Sequence, residues 1–436
     1  MNDATITRSP SWREPGRARG AALFVVIDAE NPGAGGARVM LRDATQVVIG
    51  RAAARAVRRE AGELLRLDLP DGRVSVAHAR LERADGRWTV ADLGSKNGLF
   101  VNGQRLERHA LEDGDWLELG HTFLRFRDPC DTESDADAAQ GLSTLVPAFQ
   151  AQLATLHQVA DKSLPLLLLG ETGSGKEVLA RETHRLSRRE GPFVVVNCGA
   201  IPATLVEATL FGHRRGAFSG AVEDRPGLIA SADRGTVLLD EVSDLPLSQQ
   251  AALLRAVQEK EVVPIGEVRP RKVDVRFVAA THRDLDGLVA QERFRADLLA
   301  RLAGVRITLP PLRERIEDLG ILVAAIAPRG TLARDAAWAL CRHRWPFNVR
   351  ELEQALTAAL ALSAPGPMGL EHLPAALRVP APGAVGDRDQ ARHDELVRHL
   401  REQGGNLAAV ARVLKTSRAQ VHRLLERYGI DPRAYH

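Results

Sequence analysis

Eight consecutive residues near the middle of the chain have the types and spacing that bind phosphate: Gly170-Glu171-Thr172-Gly173-Ser174-Gly175-Lys176-Glu177. Glycines let backbone N–H groups converge on phosphate oxygens, and the lysine can reach the β- and γ-phosphates of a nucleotide. We therefore predict that all eight residues contact a nucleotide. Glu177 stands where a serine or threonine normally meets magnesium, which makes it a candidate metal ligand.

Two adjacent carboxylates complete the predicted chemistry. Asp240-Glu241 follows the apolar run 237–239. A strand that delivers such a pair to a phosphate site lets the aspartate orient hydrated Mg²⁺ and the glutamate polarise an attacking water. We predict these roles for Asp240 and Glu241. An exposed acidic turn, the alternative, leaves the preceding apolar run unexplained.

The elements around these residues predict a parallel α/β domain. The apolar run 166–169 precedes the loop and helix formers follow it, which is the setting in which this pattern binds phosphate rather than forming a chance turn. Further strands are predicted at 193–197 and 275–280, and Thr281 ends the last of these as a candidate γ-phosphate sensor. Strands that alternate with helices predict a sheet with helices on both faces.

The flanking regions differ in character from this domain. Short alternating runs with four Asp-Gly or Asn-Gly pairs predict a β-sandwich at 21–127. Apolar residues at helical spacing, joined by Lys415-Thr416-Ser417, predict a helix-turn-helix within 389–436. Residues 1–20 are predicted to be a disordered tail, and 128–141 and 379–388 are predicted to be linkers.

Composition narrows the class of protein. The 436 residues carry a net charge of only +3, and three widely spaced cysteines favour neither a zinc cluster nor a disulfide framework. We find no signal peptide and no long apolar run, and therefore expect a cytoplasmic protein with no membrane partner.

The sandwich region resembles the forkhead-associated (FHA) domain. The matching residues occur in order as Gly50-Arg51, Ser75-Val76-Ala77-His78, Asn97-Gly98 and Asn102-Gly103. The resemblance implies that Arg51 and Ser75 hold the phosphate of a phosphothreonine protein or kinase, that Asn97 holds the peptide backbone, and that His78 is structural. A sandwich used only as a docking surface is the alternative.

A second resemblance rests on a glycine-flanked loop: Gly216-Ala217-Phe218-Ser219-Gly220-Ala221. Preceded by Leu-Phe-Gly-His, it resembles the GAFTGA loop that sigma-54-dependent transcriptional activators press onto their sigma factor. An aromatic side chain exposed on a glycine-hinged loop favours an interaction element over a requirement of the fold. The resemblance implies an AAA+ ATPase that uses ATP and Mg²⁺ and whose six loop residues contact the sigma-54 RNA polymerase.

Other residues match this family in order. The resemblance implies that Asn197 restrains Glu241, that Arg295 and Arg301 reach the ATP of a neighbouring subunit, and that Arg350 contacts the nucleotide from a helical lid. It therefore implies self-association into a ring, usually a hexamer. Ser219 and His282 depart from the family, which has threonine and asparagine at these places.

The C-terminal region resembles the Fis-type DNA-binding helices that usually end these activators. Five side chains are predicted to face double-stranded upstream DNA: Ser417, Arg418, Gln420, His422 and Arg423. A helical dimerisation bundle is the alternative here.

The sequence thus predicts a multidomain chain: an FHA sandwich (21–127), an AAA+ α/β subdomain (142–310), a helical lid (311–378) and a helix-turn-helix (389–436). The predicted function is ATP-dependent activation of sigma-54 polymerase under control of the FHA domain. A DNA-binding regulator that acts without sigma-54, with a vestigial ATPase, remains an alternative. An AAA+ remodeller of some other protein is another.

Overall fold

The computed structural model describes residues 20–132, 134–138 and 143–378, together with 396, 399–400, 403, 406–414, 416, 420–421 and 424–425. The chain divides into two compact units, 1–379 and 380–436. None of the helices among the described residues is long and apolar enough to cross a membrane.

The larger unit begins with a two-sheet β-sandwich. One sheet has the order β13-β2-β1-β12-β11-β8-β9 and the other β10-β7-β6-β3-β5-β4. Alternate side chains from the two sheets, such as Leu23, Val47 and Leu124, form the core between them. The predicted sandwich is therefore confirmed. Its strands are β1 (Gly20–Asp28), β2 (Gly36–Met40), β3 (Gln46–Arg51), β4 (Ala56–Glu60), β5 (Leu64–Leu69), β6 (Ala79–Ala84), β7 (Arg87–Asp92), β8 (Leu99–Val101), β9 (Gln104–Arg105), β10 (Arg108–Ala110), β11 (Trp116–Leu119), β12 (Thr122–Cys130) and β13 (Ala136–Ala138).

Part of the expected linker at 128–141 belongs to this sandwich. Strand β12 continues to Cys130, and β13 pairs with β2. The carboxylate of Asp135 accepts a hydrogen bond of 2.7 Å from the backbone N–H of Met40 and lies 3.0 Å from the guanidinium of Arg59. The acidic residues thus pair with an edge of the sandwich, instead of forming a solvated connector.

A five-stranded parallel sheet follows, in the order β15-β18-β21-β14-β22. Leu166 and Leu168 of β14 face one buried cluster, and Leu167 faces another. Because helices cover both faces, the predicted α/β architecture is confirmed. The elements are α1 (Pro147–Val159), β14 (Leu166–Leu169), α2 (Lys176–Ser187), β15 (Phe193–Asn197), α3 (Val206–Phe211), β16 (Gly212–His213), β17 (Arg225–Pro226), α4 (Leu228–Ser231), β18 (Thr236–Asp240), α5 (Leu247–Gln258), β19 (Glu261–Val262), β20 (Arg271–Lys272), β21 (Arg276–Thr281), α6 (Leu285–Ala290), α7 (Ala296–Leu302) and β22 (Val305–Thr308).

A helical lid completes the larger unit. Its helices are α8 (Leu319–Ile326), α9 (Arg334–Arg342) and α10 (Asn348–Ser363), with 3-10 turns at Leu312–Glu314, Ile316–Asp318, Leu370–His372 and Ala375–Leu377. Two further 3-10 turns lie at Pro32–Ala34 and Val242–Asp244.

The lid packs directly against the β-sandwich. A Cβ atom added to Gly320 of α8 would lie 1.9 Å from the carbonyl oxygen of Val26 in β1, so only glycine allows this approach. Arg334 of α9 pairs with the buried carboxylate of Glu118 in β11. Burial raises the pKa of Glu118, whereas Arg334 lowers it. The sequence patterns did not predict this interface.

The smaller unit contains α11 (Leu407–Val413). Six of its described apolar side chains are buried together: Leu396, Leu400, Val410, Ala411, Val421 and Leu425. This cluster agrees with the apolar spacing in the sequence. Two residues of the predicted turn, Lys415 and Ser417, and most of the last predicted helix lie outside the described residues.

Candidate functional site

The phosphate-binding loop connects β14 to α2. Lys176 opens the helix with its side chain buried, and its ammonium donates to the carbonyl oxygens of Gly170 at 2.9 Å and Glu171 at 3.1 Å. Gly173 and Gly175 have φ angles of 77° and 105°, which favour glycine. The loop therefore has the backbone conformation that its glycines predict.

The electrostatics of the loop suit an anion. Burial lowers the pKa of Lys176, while Glu241 and Asp240 raise it. Its ammonium makes no salt bridge with a carboxylate of the described chain, and the buried hydroxyl of Ser174 has no hydrogen-bond partner. A buried cation without a bonded counter-ion and an unused hydroxyl fit phosphate oxygens.

Two residues of the lid form hydrogen bonds with this loop, and the sequence patterns predicted no role for either of them. Asn348, buried at the start of α10, donates to a carboxylate oxygen of Glu171 at 3.1 Å and to the carbonyl oxygen of Thr172 at 3.0 Å. Arg313 binds the same Glu171 carboxylate through two hydrogen bonds of 2.9 and 2.6 Å. Glu171 is thus a bridge between loop and lid. No local pattern signals such contacts.

Asp240 and Glu241 lie where the predicted strand ends. Asp240 is the last residue of β18, and Glu241 follows in a left-handed conformation with φ 50°. Burial raises the pKa of Asp240, and the charge of Glu241 raises it further, whereas Lys176 lowers it. Both carboxylates therefore share one electrostatic environment with the loop lysine.

The partner of Glu241 differs from the expected one. Its carboxylate is 2.8 Å from Nδ1 of His282. The side chain of Asn197, the expected partner, instead accepts hydrogen bonds of 3.1 Å from the backbone N–H groups of Gly199 and Ala200. Asn197 therefore stabilises its own turn in this structure, and His282 positions Glu241.

Thr281 and Glu177 also have local partners. The hydroxyl of Thr281 is buried and lies 3.0 Å from that of Ser243, at the end of the strand between β14 and β18. The carboxylate of Glu177 is 2.9 Å from Arg181 on the exposed side of α2. No group of three metal-ligating side chains occurs among the residues described. Asp240 is therefore the better placed of the two predicted magnesium ligands.

The three arginines expected at the nucleotide occupy two places. Arg350 lies beside the loop, because its backbone N–H donates to the carbonyl oxygen of Gly173 at 3.3 Å. Arg295 and Arg301 are exposed on and before α7. Arg295 makes a two-pronged pair with Asp297 at 3.0 and 2.7 Å. Arg301 makes no ion pair with a described carboxylate. Both arginines are accessible to another molecule.

The predicted sigma-54 contact forms the tip of a hairpin whose stem is β16 and β17. Gly216 and Gly220 have φ angles of 79° and 106°, so glycine shapes the turn. Phe218 is 38% exposed, and its ring packs edge-on against His213 with centroids 5.0 Å apart. Arg214 fixes the stem through ion pairs with acidic neighbours. The Phe218 ring at the tip is therefore exposed, but it also contacts the stem of the hairpin, which the sequence did not predict.

The three candidate phosphopeptide residues lie at one end of the sandwich. Arg51 is the last residue of β3, and Ser75 and Asn97 lie on the loops between β5 and β6 and between β7 and β8. The backbone N–H of Arg51 donates to Ser75 at 3.0 Å, and the hydroxyl of Ser75 accepts from the N–H of Lys96 at 3.2 Å. The side-chain amide of Asn97 donates to the carbonyl oxygen of Arg73 at 2.6 Å. The structure thus brings Arg51, Ser75 and Asn97 together.

His78 supports these loops from the interior. It is fully buried, and burial lowers its pKa. Nδ1 accepts from the N–H of Ser75 at 3.1 Å, and Nε2 lies 3.1 Å from the carbonyl oxygen of Gly98. A neutral imidazole satisfies both contacts. His78 has the structural position that the FHA resemblance implies.

One candidate DNA-contacting residue is described. Gln420 is exposed. The other four lie outside the described residues: Ser417, Arg418, His422 and Arg423.

Three segments match known domain families. Residues 47–120 match the FHA domain, residues 142–308 the Sigma-54 interaction domain, and residues 313–389 the AAA+ ATPase lid domain. Together with the fold and the loop geometry, these matches define an AAA+ ATPase-type domain behind an FHA domain.

Similarity to a relative over two thirds of both chains identifies the family. The chain is 38% identical over 328 residues to the response regulator protein FleR of Pseudomonas aeruginosa, covering 67% of this chain and 68% of FleR. It is 44% identical over 394 residues to the acetoin catabolism regulatory protein of Cupriavidus necator, covering 78% of this chain but only 58% of that protein, which is less than two thirds. A solved structure of NtrX from Brucella abortus in complex with ADP is also similar, with a TM-score of 0.49 and 30% identity over 66% of this chain and 70% of that one. The chain belongs to the family of sigma-54-dependent regulators.

Proposed function

We propose that this protein is an ATP-dependent activator of the sigma-54 RNA polymerase. One observation carries the proposal: a single domain holds the Lys176 loop, the Asp240–Glu241 pair and a hairpin with exposed Phe218 at its tip. An ATPase site and a surface element for a protein partner are the two parts that such an activator needs.

The nucleotide site supports ATP hydrolysis by this chain's own residues. Lys176 and the loop N–H groups bind the phosphates, and Arg350 closes the site from the lid. Glu241 polarises water, and Asp240 holds the hydrated ion. Mg²⁺ bound there offsets the charge of the β- and γ-phosphates.

Hydrolysis is shared between neighbouring subunits of a ring. Arg295 and Arg301 are exposed on one surface element. A cation supplied in trans stabilises the charge that develops on the γ-phosphoryl group and raises the rate of hydrolysis by about 10³-fold or more. Loss of that group moves the Phe218 hairpin, which remodels the closed promoter complex. The C-terminal helices bind upstream double-stranded DNA and hold the ring near the promoter.

The FHA domain provides the control input. The adjacent positions of Arg51, Ser75 and Asn97 supply a cation, a hydroxyl and an amide, which suit phosphothreonine and the peptide around it. The protein acts in the cytoplasm, where polymerase and kinases are present.

Transcription in vitro from a sigma-54-type promoter tests the proposal. Transcripts that require both hydrolysable ATP and Phe218 support it. Activation of a promoter served by the ordinary polymerase, without need for Lys176, indicates the alternative of a DNA-binding regulator. Normal ATPase activity with no effect on either polymerase indicates a remodeller of another protein.

A further inference from the structure

The hydrogen bonds between the lid and the phosphate-binding loop run in one direction among the described residues: the lid donates and the loop accepts. The guanidinium of Arg315 donates to the carbonyl oxygen of Ser174 at 2.7 Å, and that of Arg313 donates twice to the carboxylate of Glu171. Asn348 donates to two further acceptor atoms of the loop. These contacts hold the loop in place without using the backbone N–H groups that bind phosphate.

Both arginines belong to a short segment at the start of the lid, residues 312–318. It consists of the two 3-10 turns Leu312–Glu314 and Ile316–Asp318, with Arg315 between them. Five of its seven side chains are buried: Leu312, Arg315, Ile316, Glu317 and Asp318. Because close-packed interiors transmit strain instead of absorbing it, a displacement at one end of this segment is expected to reach the other.

The far end of the segment contacts the β-sandwich. The buried carboxylate of Glu317 accepts a hydrogen bond of 3.1 Å from the guanidinium of Arg127, and the same oxygen lies 3.4 Å from Nε of Arg125. Both arginines are on β12. A buried carboxylate that loses its cations is strongly destabilised, so the two arginines determine where Glu317 can lie.

The segment therefore joins two parts of the chain that are distant in sequence. Arg127 and Glu317 are 190 positions apart, and Arg315 and Ser174 are 141 positions apart. Glu317 contacts the sandwich, and Arg315, two positions before it, contacts the phosphate-binding loop. The sandwich is thus linked to the loop through one buried turn of the lid.

We propose that Arg125 and Arg127 of the sandwich are positioning residues for nucleotide binding, which act on the phosphate-binding loop through Glu317 and the segment 312–318. With both arginines in place, the loop is held ready for phosphate, and less ordering is needed when the nucleotide binds. Without them, the segment shifts until water reaches Glu317, and this shift withdraws the hydrogen bonds of Arg315 from the loop. The inference rests on the proposed function, because it gives the FHA domain a physical connection to the ATPase site.

Calorimetric titration of the full chain with ADP and with a non-hydrolysable ATP analogue, each with Mg²⁺, tests the proposal. We expect the double variant Arg125→Ala/Arg127→Ala to bind both nucleotides about fivefold or more weakly than the wild type, a size typical of coupling between sites. The single variant Arg127→Ala keeps Arg125 beside Glu317 and is expected to have an intermediate affinity. The matched control Arg87→Ala/Arg108→Ala removes two exposed arginines from the other sheet and is expected to bind as the wild type does.

Two further measurements separate positioning from a general loss of stability. Adding Glu317→Gln to the double variant removes the unpaired charge, and we expect it to restore most of the nucleotide affinity. Hydrogen exchange should become faster in residues 312–318 and 170–176 of the double variant, with the β6–β7 hairpin unchanged. If the double variant does not fold, Arg127→Ala with and without Glu317→Gln provides the same comparisons.

The outcomes distinguish this inference from the proposed function. Equal or tighter nucleotide binding by the arginine variants, no recovery with Glu317→Gln, or faster exchange throughout the larger unit overturns the positioning role. A wild type that binds neither nucleotide overturns both this role and the ATPase. The expected loss and recovery of affinity in a protein that does not activate the sigma-54 polymerase supports the positioning role and rejects the proposed function alone.

Discussion

Nδ1 of His282 lies 2.8 Å from Oε2 of Glu241, the proposed catalytic carboxylate. The two residues come from the ends of neighbouring strands, since β21 and β18 are paired in parallel. A side chain that orients the general base contributes to the rate without contacting the substrate. In this chain His282 has that position, whereas the family resemblance implied that Glu241 is restrained by Asn197.

We therefore expect His282→Ala to lower kcat for ATP hydrolysis by about tenfold, the cost of one lost charged hydrogen bond, with KM for ATP nearly unchanged. Asn197→Ala is the matched comparison and is expected to have the smaller effect on kcat. Steady-state ATPase assays at saturating Mg²⁺ give both constants. A larger effect of Asn197→Ala would contradict the contact seen here.

Replacement of Glu241 separates binding from hydrolysis. Glu241→Ala removes the group that polarises water, which is worth about 10² to 10⁴ in rate, but it leaves Lys176 and the loop intact. ATP affinity measured with a fluorescent analogue is expected to stay near that of the wild type while turnover is lost. Normal turnover would remove Glu241 from the chemistry.

Mixed rings test whether the arginines act in trans. Arg301→Ala is expected to reduce hydrolysis by about 10³-fold, as is typical for a missing arginine finger. In a mixture of Arg301→Ala and Lys176→Ala subunits, some interfaces combine the intact Lys176 of one subunit with the intact Arg301 of its neighbour. We expect such a mixture to regain measurable ATPase activity. Both variants alone serve as controls. A mixture as inactive as its components would show that Arg301 is not supplied to a neighbour.

The proposed recognition of a phosphopeptide is expected to depend on Arg51. We expect Arg51→Ala to weaken binding of a phosphothreonine peptide by about tenfold or more, through loss of a charged hydrogen bond to phosphate. Arg87, in the hairpin at the opposite end of β6 and β7, provides the control variant Arg87→Ala. Fluorescence anisotropy with a degenerate phosphothreonine library measures both. Equal binding by the wild type and Arg51→Ala would leave the sandwich as a docking surface only.

Asp318 at the start of the lid accepts hydrogen bonds from Thr144 and Leu145 of the α/β subdomain, and this contact predicts a dependence of stability on pH. Burial raises the pKa of Asp318 from 3.8 to about 6, although Thr144, Arg315 and the N–H of Leu145 lower it. The folded protein therefore holds this proton more tightly than the unfolded chain does. The free energy of unfolding should fall as pH rises from about 4 to about 6, by up to roughly 3 kcal/mol.

Urea unfolding of the wild type and Asp318→Asn across this range isolates that contribution. The wild type should lose stability relative to the variant as pH rises, and the difference should become constant above the folded pKa. A difference that is independent of pH, or that moves in the opposite direction, would contradict the assignment to Asp318.

Local patterns predicted much of the site. The strand at 166–169, the loop ending in Lys176, and the acidic pair after β18 follow from residue periodicity and turn chemistry, which act over short distances in sequence. The structure has the same strand at Leu166–Leu169 and ends β18 at Asp240.

Contacts between distant segments were not predictable in this way. Arg313 and Glu171 are 142 positions apart, and Arg334 and Glu118 are 216 positions apart. Such pairs depend on how the lid packs on the loop and the sandwich, and surface arginines carry no pattern that names their partners. Glu241 contacts His282 and not Asn197, and this choice of partner likewise depends on side-chain packing at the ends of two strands.

Open-complex formation by the sigma-54 polymerase tests the central claim most directly. Permanganate footprinting of a sigma-54-type promoter would compare the wild type with Phe218→Ala, each with ATP and Mg²⁺ and with matched ATPase activity. We predict promoter melting by the wild type and none by Phe218→Ala. Melting that is equal in the two proteins, or absent from the wild type although ATP is hydrolysed, would contradict the account.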